Sequence, residues 1–197
     1  MDMSRSIAIL GWGSLLRDDI EESKGWHGAW LYDGPSLKIE FSRISQTEPR
    51  RGVMTLVIDP EHGAANTVAY CFSSRQDARG TINDLARRER MPSGKNIGYL
   101  DFKSRVERSR DRESLESIRK WATDLGIGAA VWTDLPSNFA AITGKPFSVK
   151  AAQAHLEGLD DRVRANAMEY VRTAPLFVQT PLRNALQHWA AGENANE

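Results

Sequence analysis

Val53-Met54-Thr55-Leu56-Val57-Ile58 is a β-branched, apolar run that stops at Asp59-Pro60-Glu61-His62-Gly63, and a second run, Thr67-Val68-Ala69-Tyr70-Cys71-Phe72, follows. Two such runs on either side of a turn-forming cluster predict a hairpin. Further strands read outward from this pair. Leu37–Arg43 alternates, with Leu37, Ile39 and Phe41 on one face. Ile7–Leu10 is a short apolar run that ends in Gly11, and Ala29–Tyr32 is a candidate strand before the turn Asp33-Gly34-Pro35. Tyr99–Lys103 and Gly128–Trp132 have the same character.

Helical spacing takes over elsewhere. Ser74–Arg90 carries Ala78, Ile82, Leu85 and Ala86 on one stripe and stops at Met91-Pro92-Ser93-Gly94. Arg105–Lys120 is dense in charge of both signs and passes into a helical pattern through Leu115, Ile118 and Leu125; a solvated helix face laced with ion pairs explains it. Ala151–Leu156, Asp161–Arg172 and Pro181–Trp189 complete a helical C-terminal third. Strands first and helices last predict an α+β fold with a mainly antiparallel sheet. The reading is one domain over 1–192, with a polar, frayed tail over 193–197.

With 197 residues, of which 41% are hydrophobic, the chain can bury a single sizeable core. Lys plus Arg equals Asp plus Glu at 26 each, so nothing general draws it to nucleic acid or an anionic membrane. One cysteine, Cys71, excludes an internal disulfide and fits a reducing, cytoplasmic setting; within its apolar run it reads as a core filler. Ile7–Leu10 is too short for a signal segment or a membrane span. The four histidines are dispersed, which argues against a zinc site. No feature addresses the oligomeric state.

Three elements can carry chemistry. Glu89 extends the apolar stripe of the Ser74–Arg90 helix, while Arg87, Arg88 and Arg90 point to other faces. A carboxylate sheltered without a local partner has its pKa raised, as general acid–base chemistry near neutrality requires. The second element is Gly11-Trp12-Gly13-Ser14-Leu15 after the first strand. Its glycines permit positive φ and close ligand approach, and its successive N–H groups can form an anion-binding nest. It lacks the third glycine of a dinucleotide loop and the Gly-Lys-Ser/Thr of a P-loop. The third is Phe41-Ser42-Arg43 with Ser45, then Arg51-Gly52. Arg43 is read as facing away from Leu37, Ile39 and Phe41, towards solvent or towards a substrate carboxylate.

In this order the three elements, with Arg88-Glu89 closing the series, resemble the γ-glutamylcyclotransferase-like superfamily and its ChaC-type branch. The resemblance covers about the first hundred residues. It implies a small β-barrel with flanking helices, no metal or cofactor, Glu89 as the catalytic acid/base, and a substrate-binding loop at Gly11, Trp12, Gly13, Ser14 and Leu15. Trp12 stands where that family has tyrosine. Val53-Met54-Thr55 continues as strand where the ChaC branch often has proline and glycine, so glutathione specificity is not implied.

The implied reaction is an intramolecular aminolysis. The α-amine of a γ-glutamyl compound attacks its own side-chain carbonyl, closes 5-oxoproline and expels the attached amine. A base must first deprotonate the ammonium and an acid must then protonate the leaving nitrogen; one carboxyl group can do both. The loop N–H groups would hold a carboxylate or oxyanion, with Arg43 adding charge. Two alternatives stay open: a non-catalytic module binding a small carboxylate-bearing metabolite in the same pocket, and an interaction domain that uses Arg105–Lys120.

Overall fold

The computed structural model describes residues 5–16, 25–48 and 50–193. It is α+β and divides into two compact units, one of Met1–Leu37 with Thr67–Leu135 and one of Lys38–Asn66 with Pro136–Glu197.

The first unit is built on a mixed sheet of strands β1 (Ile7–Gly11), β5 (Ala69–Phe72), β6 (Ile97–Asp101), β7 (Val106–Arg108) and β8 (Ala129–Thr133). Their spatial order is β5-β1-β8-β6-β7. β1 runs antiparallel to β5 and parallel to β8, which explains why all five of its residues are buried and apolar or glycine. β6 is antiparallel to both β8 and β7. Opposite the Trp132 indole the partner residue on β6 is Gly98, where a methyl group would overlap the ring.

Helix α1 (Ala78–Arg88) starts at Asp77, whose carboxylate accepts the Gly80 N–H at 2.7 Å. It lays Leu85 and Ala86 on Ile7, Ile9, Ile97 and Val131 of the sheet. Each fully buried aliphatic side chain of this kind contributes about 1.5–3 kcal/mol. Cys71 is a buried filler of the same cluster. Helix α2 (Arg112–Asp124) is capped by Asp111. Its charges pair locally, Arg119 with Glu107 and Glu116 and Lys120 with Asp124, as expected of a solvated face.

The expected strand Ala29–Tyr32 is not a strand; it contributes an isolated bridge, Leu31 opposite Tyr70. Leu31 N–H donates to the Tyr70 carbonyl at 2.7 Å and Gly28 N–H to the Phe72 carbonyl at 2.8 Å. The segment covers the outer edge of β5 as a loop, which protects an edge that would otherwise invite pairing.

The second unit holds β2 (Ser36–Ile44), β3 (Met54–Ile58) and β4 (Ala64–Thr67), in the order β3-β2-β4. The expected hairpin is therefore replaced. β3 pairs antiparallel with β2, and the turn after it crosses β2 to reach the opposite edge. Asp59 organises the crossing: its carboxylate accepts the N–H groups of Glu61 and His62, and its carbonyl that of Gly63. A side chain at Gly63 would strike the backbone of Lys38 and Ile39 within 2.8 Å, so the crossing requires glycine. The chain leaves this sheet after Thr67 and joins the other at Ala69, and among the described residues no closed barrel forms. The expected barrel is corrected to two sheets of five and three strands.

Helices α3 (Phe139–Thr143), α4 (Val149–Glu157), α5 (Asp161–Arg172) and α6 (Pro181–Glu193) complete this unit. Ser148 and Asp160 cap α4 and α5, accepting the N–H groups of Ala151 and Val163. The expected tail beyond Glu193 lies outside the described residues.

Glu40 of β2 is completely buried and accepts the N–H groups of Phe41 at 2.6 Å and, in the first turn of α6, of Leu182 at 3.2 Å. Burial raises its pKa above the ordinary 4.5; hydrogen bonds from Thr180, Phe41 and Leu182 oppose the rise and Asp59 adds to it. A carboxyl whose folded pKa is raised contributes stability that is complete below the unfolded value and is lost as pH rises through the folded one. Urea unfolding of wild type and Glu40→Gln is therefore expected to show the wild type gaining on the variant as pH falls from about 7 towards the ordinary 4.5. Parallel stability–pH curves would remove Glu40 as the source.

Candidate functional site

The first unit brings two of the three chemical elements together through its core. β1 ends at Gly11, and the chain turns through one 3-10 turn, Ser14–Leu16, closed by Leu16 N–H on the Gly13 carbonyl at 3.0 Å. Leu15 inserts into the same cluster as Leu85 and Ala86 of α1, which ties this loop to the C-terminal end of the helix. Arg88 completes the link: its Nη2 donates to the Ser14 carbonyl at 3.1 Å, and its Nη1 lies 4.0 Å from Glu89 Oε1. One guanidinium spans from the loop to the carboxylate.

Glu89 does not continue α1. It is the C-cap, with φ −84° and ψ 6°, and its N–H donates to the Leu85 carbonyl at 3.0 Å. Its side chain is 21% exposed, and Arg88 is its near neighbour, so the expectation of a carboxylate without a local partner is corrected. Adjacent side chains leave a helix in different directions, but an arginine is long enough to reach back.

The deeply buried acid of α1 is Asp84. Arg75 grips it through Nε at 2.6 Å and Nη2 at 3.1 Å, and Arg87 Nη1 adds a contact at 3.3 Å. Hydrogen bonding and charge from Asp84 raise the pKa of Arg75. The sequence carries a signal for this pair: Asp84 and Arg87 sit three apart on one helix face, the spacing of an intrahelical ion pair.

The loop differs from its expected conformation. Among the described residues the glycines at positive φ are Gly25, Gly52, Gly126 and Gly144, so neither Gly11 nor Gly13 supplies the left-handed step of a nest. At Gly11 the space that a side chain would fill is taken by the Trp30 indole, 2.9 Å from where a methyl group would sit, so packing explains this glycine. Trp12 is buried, 4% exposed.

Arg43, Arg51 and Gly52 belong to the second unit. The register of β2 against β3 shifts between Glu40 and Arg43, so that Glu40, Phe41 and Ser42 are all buried and Arg43 is half-buried. Arg43 Nη1 donates to the Pro136 carbonyl at 2.8 Å. Gly52, at φ 87°, makes the turn between β2 and β3 and offers its carbonyl to His155 at 3.0 Å. Arg51 is exposed and lies 3.4 Å from Glu48.

Beside Arg88 a cleft of about 570 Å³ opens, lined by Trp26, Arg75, Asp84, Arg87, Arg88 and Arg90. Among the described residues no three His, Cys, Asp or Glu side chains converge to hold a metal, and no helix is long and apolar enough to cross a membrane. The chain matches no family model, no curated protein and no solved structure.

Proposed function

We propose that this protein is an intramolecular cyclotransferase that converts a γ-glutamyl amine, amino acid or peptide to 5-oxoproline and the free amine. The observation that carries the reading is the Arg88 bridge: the guanidinium bonded to the Ser14 carbonyl is the one beside the Glu89 carboxylate. Glu89 takes a proton from the substrate's α-ammonium, and the freed amine attacks the γ-carbonyl carbon. The ring C–N bond closes, the amide C–N bond breaks as Glu89 passes its proton to the departing nitrogen, and the second proton of the ring nitrogen goes to the released amine, which leaves as an ammonium. Arg88 supplies a fixed positive charge for the substrate's α-carboxylate, and the short turn at Ser14–Leu16 sets the wall against which the substrate folds. The chemistry draws on side chains and backbone alone. The buried free thiol of Cys71 fits action in a reducing compartment such as the cytoplasm.

The resembling superfamily enters through the loop and the Arg88-Glu89 pair rather than through a barrel. Purified protein incubated with γ-glutamyl amines, amino acids and peptides is expected to release 5-oxoproline, followed by mass spectrometry. Absence of product from the whole panel would overturn the activity. Ligand-induced thermal stabilisation without product would leave a binding module for the same compounds.

A further inference from the structure

The ring-closure reading draws on Arg88 alone among the arginines of the first unit's cleft. Among the described residues Arg75, Arg87, Arg88 and Arg90 line it together with one carboxylate, Asp84, whose two oxygens are already engaged by Arg75 and Arg87. Among the described residues Asp84 pairs with Arg75 and Arg87 and Glu89 lies beside Arg88, while Arg90 makes no ion pair. Arg88 is the sharper sign. Its side chain is only 9% exposed, and its Nε is buried with no hydrogen-bond partner. A buried donor on a charged group costs stability when left unmade, so the fold holds the Arg88 guanidinium at the cleft wall at its own expense.

Arg90 adds a second, independent sign. α1 ends in a Schellman-type closure, with Met91 N–H on the Ala86 carbonyl at 2.8 Å, and Arg90 occupies the left-handed position at φ 52°. Glycine is the usual residue there because a side chain costs energy in that conformation. Here the position holds a guanidinium on the cleft. The volume of about 570 Å³ exceeds what a simple inorganic ion fills and lies within the range of small-molecule sites. Trp26 provides an aromatic wall.

We propose that this cleft binds a small organic anion with two or more negative charges, held by the guanidinium groups of Arg88 and Arg90 with its body against Trp26. The site adjoins the proposed reaction and shares Arg88 with it, but Glu89 and the Gly11–Leu15 loop are not among its lining residues, and Trp26 and Arg90 take no part in the ring closure. Guanidinium forks suit both phosphate and carboxylate groups, so the experiment uses one probe of each kind.

Calorimetric titration of the full chain with pyrophosphate and with citrate, at constant ionic strength to remove general screening, is expected to show saturable one-to-one binding of at least one. The tighter probe names the acidic group. Arg90→Gly relieves the backbone strain and removes the charge, so it should fold at least as well as wild type and bind about tenfold more weakly. Arg88→Lys keeps the charge, loses the planar guanidinium fork and should weaken binding to a similar degree. No saturable binding of either probe, or an affinity unchanged in Arg90→Gly, would overturn the proposal; Arg90→Gly decides the matter should Arg88→Lys fail to fold.

Discussion

Glu89→Gln is expected to lower 5-oxoproline release by at least about a hundredfold, the low end of what a positioned general acid–base contributes. The amide keeps the size of the side chain and can still accept a hydrogen bond, but it can neither take the ammonium proton nor deliver it to the leaving nitrogen. Glu89 caps α1 through its backbone, and Arg88 holds the Ser14 carbonyl independently of the carboxylate. The fold should therefore survive, and circular dichroism and melting temperature should stay close to wild type. The loss should fall on kcat more than on KM, because the group acts on the proton in the transition state rather than on ground-state binding. Turnover equal to wild type would take Glu89 out of the mechanism while leaving the anion cleft beside it untouched.

Arg183→Met should be the most damaging single change to the second unit. Arg183, on the first turn of α6, is 3% exposed. Its Nη1 donates to the carbonyls of Pro175 at 2.7 Å and Val178 at 2.6 Å, and its Nη2 to those of Ala174 at 2.9 Å and Arg172 at 3.3 Å. One planar fork therefore gathers the C-terminal end of α5 and the whole loop that leads into α6. Methionine fills similar volume but leaves these acceptors without their donor, and each stranded buried acceptor costs about 1–3 kcal/mol. A loss of roughly 3 kcal/mol or more is expected, with a fall in Tm on the order of 10 °C. Arg183→Lys should not restore it, because a point ammonium cannot reach in the four directions the fork serves. A melting temperature within a degree or two of wild type would show that water or local rearrangement satisfies the carbonyls.

Several elements are legible from residue order alone because their determinants are local. The span predicted for α5, Asp161–Arg172, coincides with the helix, and Asp160 caps it through its own carboxylate. β1 is legible from its uninterrupted apolar run, and α1 from its stripe, although the helix is shorter at both ends than its periodicity predicts. Pairing is not legible. Val53–Ile58 and Thr67–Phe72 both have strand character, but propensity does not choose a partner, and the turn between them crosses β2 where a hairpin would fold back. The choice depends on Gly63 passing against the β2 backbone, a contact between segments distant in sequence.

The candidate site divides along the same line. Glu89, the Gly11–Leu15 loop and the arginines around Glu89 can be singled out by residue type and spacing. Their meeting cannot, since the Arg88–Ser14 contact joins positions 74 residues apart through a core that packs Leu15 on Leu85. Residue order determined the longer helices, most of the strands and an acid at the end of α1, because caps, turns and periodicity act within a few residues. Only the tertiary structure decided that Asp84 is the deeply buried acid, that Glu89 has an arginine beside it, and that four guanidinium groups converge on one cleft. Burial and charge neighbours are set by long-range packing, which no local pattern encodes.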